Sequence, residues 1–174
     1  ISSTASSSST DLNVANALFR KGSYEEAYLS YERILLNDPT NYVAHTNAAL
    51  CLTHGKMSAE NYDAALSHFR AAANASPNRA AVWSNLGTHL LNGGVGLHVA
   101  EDAFRRAIKI EPNSSKHVVS LGAVLEALER HDVAARVYRE GLERWPTSAD
   151  LWTNLGTALH ALGEHDDAVV AFRN

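Results

Sequence analysis

Four prolines, Pro39, Pro77, Pro112 and Pro146, stand 38, 35 and 34 residues apart. No other feature of the chain restricts its fold as much. Proline cannot continue a helix, so each marks the end of one segment and the start of the next. The residues before the prolines keep the same register: Ala27–Tyr31–Pro39, Ala65–Phe69–Pro77, Ala100–Phe104–Pro112 and Ala134–Tyr138–Pro146. Each proline is followed by a second recurring pattern: Asn47-Ala48-Ala49, Asn85-Leu86-Gly87, Ser120-Leu121-Gly122 and Asn154-Leu155-Gly156, with Asn13-Val14-Ala15 in the same place in the first unit. A period of roughly 34 residues is that of a repeated helix–turn–helix unit.

The pattern predicts paired helices. First helices are expected over residues 11–21, 41–53, 79–91, 114–127 and 148–161, and second helices over 24–37, 60–75, 97–110, 131–144 and 165–174. Such lengths are marginal for isolated helices, so stacking must stabilise them. The longer proline spacings fall in turns: extra residues lie within 54–61 and in the Gly93-Gly94-Val95-Gly96 segment. Thr40-Asn41, Asn78, Asn113-Ser114 and Thr147-Ser148 are expected helix caps. Ala15, Ala49, Gly87, Gly122 and Gly156 mark close approach between the helices of a hairpin, and Trp83 and Trp152 are expected to pack in the core. Few aromatics and abundant alanine suit closely packed helices.

From about Asp11 onward these positions resemble the tetratricopeptide repeat family, in about five units near 8–41, 42–79, 80–114, 115–148 and an incomplete 149–174. The resemblance implies an all-α fold, a right-handed superhelical α-solenoid of stacked antiparallel helix hairpins. Gly141 departs from the family, which prefers alanine there, and should weaken its helix by about 1 kcal/mol. The serine-rich residues 1–10 lie outside the pattern and suggest a flexible tail. The chain opens on Ile1 and closes two residues after Phe172, which suggests a piece of a longer repeat protein.

In such a stack the first helices line a concave wall. The resemblance implies a protein-interaction scaffold that binds a partner's peptide segment there. The expected groove residues are Asn13, Asn47, Asn85, Ser120 and Asn154, with Thr88, Lys116 and Thr157 beside them. An asparagine amide offers a donor and an acceptor, so a ladder of them could pair with a peptide backbone. The ladder also resembles the repeat arms of O-linked N-acetylglucosamine transferases, the arrays of peroxisomal import receptors and subunits of ciliary transport or coat complexes. A substrate-recruiting or regulatory arm of a larger enzyme is therefore the alternative function. The lysines and arginines of a carboxylate clamp are missing, apart from Lys116.

The remaining chemistry points away from catalysis within these residues. With 15 basic and 19 acidic residues, a formal net charge of -4, nothing favours nucleic acid. No apolar run is long enough for membrane insertion. Cys51 is the single cysteine, which suits a reducing compartment such as the cytoplasm, with the cilium implied as an alternative by the resemblance to ciliary subunits. Nine histidines lack ligand spacing, and the helix break at Gly163 is expected to separate His160 from His165, so neither a metal nor another cofactor is expected. The apolar residues Val169, Val170 and Phe172 suggest assembly with another chain through the C-terminal end.

Overall fold

The computed structural model describes residues 2–54 and 59–174. Among the described residues there are ten helices and no strand. They are α1 (Ser2–Lys21), α2 (Tyr24–Asn37), α3 (Tyr42–His54), α4 (Ala59–Ala75), α5 (Ala80–Gly93), α6 (Leu97–Ile110), α7 (Ser115–Ala127), α8 (His131–Arg144), α9 (Ala149–Ala161) and α10 (His165–Phe172). The expected helices recur within one or two residues, with one exception. The helix α1 begins at Ser2, so the backbone of the serine-rich segment is helical where the composition suggested a flexible tail. Serine is only a mediocre helix former, and extending an existing helix is far easier than nucleating one. Residues 55–58, part of the lengthened second turn, lie outside the described residues.

The chain divides into two compact units, Ile1–Leu86 and Gly87–Asn174, with the boundary inside α5. In the first unit, α1 packs on α2, α2 on α3 and α3 on α4. Its core is built on Ala15, Ala27, Tyr31, Ile34, Ala44, Ala48 and Cys51. In the second unit, α6 packs on α7, α7 on α8, α8 on α9 and α9 on α10. Phe104, Leu121, Val124, Leu125, Tyr138 and Leu151 are buried there. Both cores combine one large aromatic per hairpin with small residues opposite it.

Gly87, Gly122 and Gly156 make room for an aromatic ring, where the expectation was backbone-to-backbone approach. A Cβ on Gly87 would stand 2.8 Å from the Phe104 ring, and one on Gly156 would stand 2.6 Å from the Phe172 ring. At Gly122 the Tyr138 ring lies closer still. In these three hairpins the aromatic of the second helix thus rests on the bare backbone of its own first helix, whereas Ala15 and Ala49 hold that place in the first two. Gly141 has its own reason: a Cβ there would press at 3.1 Å on both Leu151 and Val118.

The prolines are tied to the helices that follow them. Trp83 Nε1 donates to the Pro77 carbonyl at 2.7 Å, and Trp152 Nε1 to the Pro146 carbonyl at 2.8 Å. Both tryptophans are half-buried, braces of the turn more than core residues. His45 occupies the same register, with Nε2 3.0 Å from the Pro39 carbonyl. Of the expected caps, Asn41 Oδ1 accepts from the Ala44 amide at 3.0 Å and Ser148 Oγ from the Leu151 amide at 3.5 Å. Ser114 precedes α7 without a side-chain cap bond.

Candidate peptide-binding site

The five ladder positions do not share one environment. In the first unit Asn13 is exposed, while Asn47 and Asn85 are half-buried. In the second, Ser120 and Asn154 are half-buried and Thr88, Lys116 and Thr157 are exposed. Thr157 Oγ1 donates to the Thr153 carbonyl at 3.1 Å, one turn back on its own helix. Among the described residues the side chains of Asn13, Asn85, Thr88, Lys116, Ser120 and Asn154 have no hydrogen-bond partner.

Asn47 is different. Its Nδ2 donates to Asn16 Oδ1 at 2.9 Å and to the Tyr31 hydroxyl at 3.2 Å. The Tyr31 hydroxyl in turn donates to Asn16 Oδ1 at 2.7 Å. Three helices, α1, α2 and α3, therefore meet in one closed network. Tyr31 is fully buried, and burial raises its hydroxyl above the ordinary pKa, against an opposing hydrogen bond from Asn47. It stays protonated and can keep donating. The network uses both hydrogens of Asn47 Nδ2 and doubly occupies Asn16 Oδ1. It leaves Asn47 Oδ1 as an acceptor and Asn16 Nδ2 as a donor, with no protein partner for either among the described residues. Both amides are held in a fixed orientation by a rigid buried hydroxyl.

The sequence contained a signal for this. Asn47 follows Tyr31, whereas Asn85 follows Phe69 and Ser120 follows Phe104 at the same register. Phenylalanine has no hydroxyl to lock the next unit's polar residue. Asn154 does follow a tyrosine, Tyr138, but the position matching Asn16 is Ala123. Among the described residues the buried Tyr138 hydroxyl has no hydrogen-bond partner. Its contact with Glu126 falls short of hydrogen-bond geometry, and Glu126 Oε1 and His131 Nδ1 are buried without partners as well. Burial pushes the Glu126 carboxyl above its ordinary value, although Tyr138 and His131 pull the other way.

Other polar groups serve the scaffold. Burial alone would raise Glu101, but hydrogen bonds and charge from Arg105 and Arg130, each 2.8 Å away, hold it below the usual carboxylate range. Cys51 is buried, and burial pushes its thiol up to about 11, so it is inert as a nucleophile near neutral pH. A small depression of about 100 Å³ on the first unit is lined by Asp11, Val14, Ser30, Arg33 and Asn37, none of them a ladder residue. Among the described residues no group of three or more histidine, cysteine or carboxylate side chains is placed to hold a metal, and no helix is long and apolar enough to cross a membrane.

The sequence profile of the tetratricopeptide repeat fits residues 52–115, 96–148 and 119–173. The chain belongs to the tetratricopeptide repeat family. Its fold is that of solved helical-hairpin solenoids of the same kind. A MamA protein is 20% identical over 95% of this chain and 88% of its own, with a TM-score of 0.83. MamA from Desulfovibrio magneticus is 16% identical over 95% of this chain and 91% of its own, also at 0.83. YrrB, described as a tetratricopeptide repeat protein with an unusual peptide-binding site, is 22% identical over 92% of this chain and 80% of its own, at 0.77. No curated protein matches the sequence. At these identities the tetratricopeptide likeness is one of fold.

Proposed function

We propose that this tetratricopeptide array is a protein-interaction scaffold whose first unit grips an extended peptide through Asn16 and Asn47. The observation that carries this reading is the Asn16–Tyr31–Asn47 network, which leaves one donor and one acceptor unused in fixed orientation. A peptide group has the complementary pair, a carbonyl for Asn16 Nδ2 and an N–H for Asn47 Oδ1. Because the amides are already ordered, binding loses little side-chain entropy. Recognition of backbone groups is indifferent to ligand sequence, so specificity would come from neighbouring side chains. In the second unit, Asn154, Ser120, Thr88, Thr157 and Lys116 offer further polar contacts, with Lys116 the only cation in the set. The peptide-binding description of the fold relative YrrB agrees with this reading.

A displayed random-peptide library panned on the wild-type chain, Asn16→Ala and Asn47→Ala tests it. Peptides enriched on wild type should lose most of their binding to either variant, with helical circular dichroism unchanged. Equal enrichment on all three proteins would rule out the network as the grip. A second reading, docking of another chain on α10, is favoured by the exposure of Val169, Val170 and Phe172. Light scattering across a concentration series checks it; a mass that stays at one chain counts against self-assembly.

A further inference from the structure

The position that closes each hairpin is filled differently along the chain. In the first hairpin Phe19 and Tyr24 meet edge to face, with ring centroids 5.5 Å apart. At the same two positions α9 and α10 carry His160 and His165. The expectation that the break at Gly163 keeps them apart is wrong, because the break is what joins them. Gly163, at φ +80, reverses the chain in a conformation other residues avoid. Its amide donates to the His160 carbonyl at 3.0 Å, and the Glu164 amide to the Leu159 carbonyl at 2.9 Å. The two imidazoles then face each other across the turn, Nδ1 to Nδ1 at 3.1 Å, with centroids 5.0 Å apart and planes tilted by 52°.

We propose that His160 and His165 form a surface site for a divalent transition-metal ion of the copper, nickel and zinc class. Neutral imidazole nitrogen suits these ions. With metal–nitrogen bonds of about 2.0–2.1 Å, two ligating nitrogens stand about 2.9 Å apart at a right angle and about 3.4 Å apart at the tetrahedral angle. The observed separation lies between these values, so one ion can replace the shared hydrogen with little movement. Both histidines are exposed, which leaves the other coordination positions to water. Asp166 and Asp167, in the first turn of α10, add negative charge close by.

Distance alone does not make the site, as the other histidine pair demonstrates. His45 and His68 also stand 3.0 Å apart through Nδ1. His45 Nε2 is taken by the Pro39 carbonyl at 3.0 Å, and His68 Nε2 has the Glu32 carboxylate beside it at 3.5 Å. Both rings are half-buried and held in place. That pair is a structural link between α3 and α4. At His160 and His165 no other ring nitrogen has a partner among the described residues, and the rings can turn onto an ion. With two protein ligands the site is open to water at its other coordination positions.

The test is calorimetric titration of the chain with nickel(II) and, separately, copper(II) at pH 7.5. Wild type should bind one ion; His160→Ala and His165→Ala should each abolish that event, and His98→Ala, which removes an exposed histidine elsewhere, should keep it. Copper(II) added to ¹⁵N-labelled wild type should first broaden the amides around the α9–α10 turn, which needs no variant. Absence of binding, binding unchanged in both alanine variants, or broadening centred on another histidine would overturn the proposal.

Discussion

Tyr31 and Tyr138 occupy the same place in two repeats, are both fully buried, and are held in opposite ways. Tyr31 lies in the first unit opposite Ala15, and its hydroxyl is satisfied by Asn16 and Asn47. Tyr138 lies in the second unit pressed on Gly122, and among the described residues its hydroxyl has no hydrogen-bond partner. One ring is fixed by hydrogen bonds, the other by steric fit. The repeat therefore specifies an aromatic at this position but not how its polar end is accommodated. Where the hydroxyl is satisfied, it orients the amides of two neighbouring helices and creates a candidate site. Where it is not, the same residue only fills space.

The comparison is broken most severely by adding a methyl group. Gly122→Ala should drive a Cβ into the Tyr138 ring and cost about 3 kcal/mol, at the upper end for overpacking. Urea unfolding would measure it. The first unit already has alanine there, so Ala15→Gly should cost only about 1 kcal/mol, the helix penalty of glycine. A smaller contrast comes from removing the hydroxyls. Tyr31→Phe loses a buried network and should cost about 1–2 kcal/mol. Tyr138→Phe removes an unsatisfied group and should be neutral or mildly stabilising in the same assay.

The smallest effect is a difference in the sign of the acid response. Burial lowers the His68 imidazole below its ordinary value, with Glu32 opposing and His45 adding to the shift. Its contribution is complete above about pH 6.5, the unfolded value, and falls as pH drops through the folded value. Glu126 is shifted upward by burial. Its contribution is complete below the ordinary carboxylate value and is lost as pH rises through the folded one. Moving from pH 7 towards 5 should therefore weaken amide-exchange protection in α3 and α4 while leaving α7 and α8 unchanged or better protected. His68→Phe should remove the acid response of the first pair only. The same sign in both units would contradict this account.

Much of the fold was legible because it is written several times. Alanine, aromatic and proline recur at fixed offsets, so an ambiguity in one unit is settled by the next. The serine-rich start of α1 was not legible, because composition measures the lack of a core and not the ability to extend a neighbouring helix. The reason for Gly141 was not legible, because Leu151 and Val118 come against it only in the folded stack. The ladder was legible as positions but not as environments. Asn47 and Asn154 are identical letters in identical register, and only Asn16 against Ala123, two helices away from each, separates a locked amide from an unpaired one. The His160–His165 contact was not legible, because Gly163 breaks the helix in the sequence pattern while its left-handed turn brings the two helix ends together.

The most direct measurement of the central claim is the ¹⁵N spectrum of the asparagine side-chain amides during titration with a library-selected peptide. The Asn16 NH₂ pair should shift most, since it gains a carbonyl acceptor. The Asn47 pair should stay near its free position, because its hydrogens remain on Asn16 and Tyr31. Shifts confined to other residues, with both of these pairs unmoved at saturation, would contradict the proposed grip.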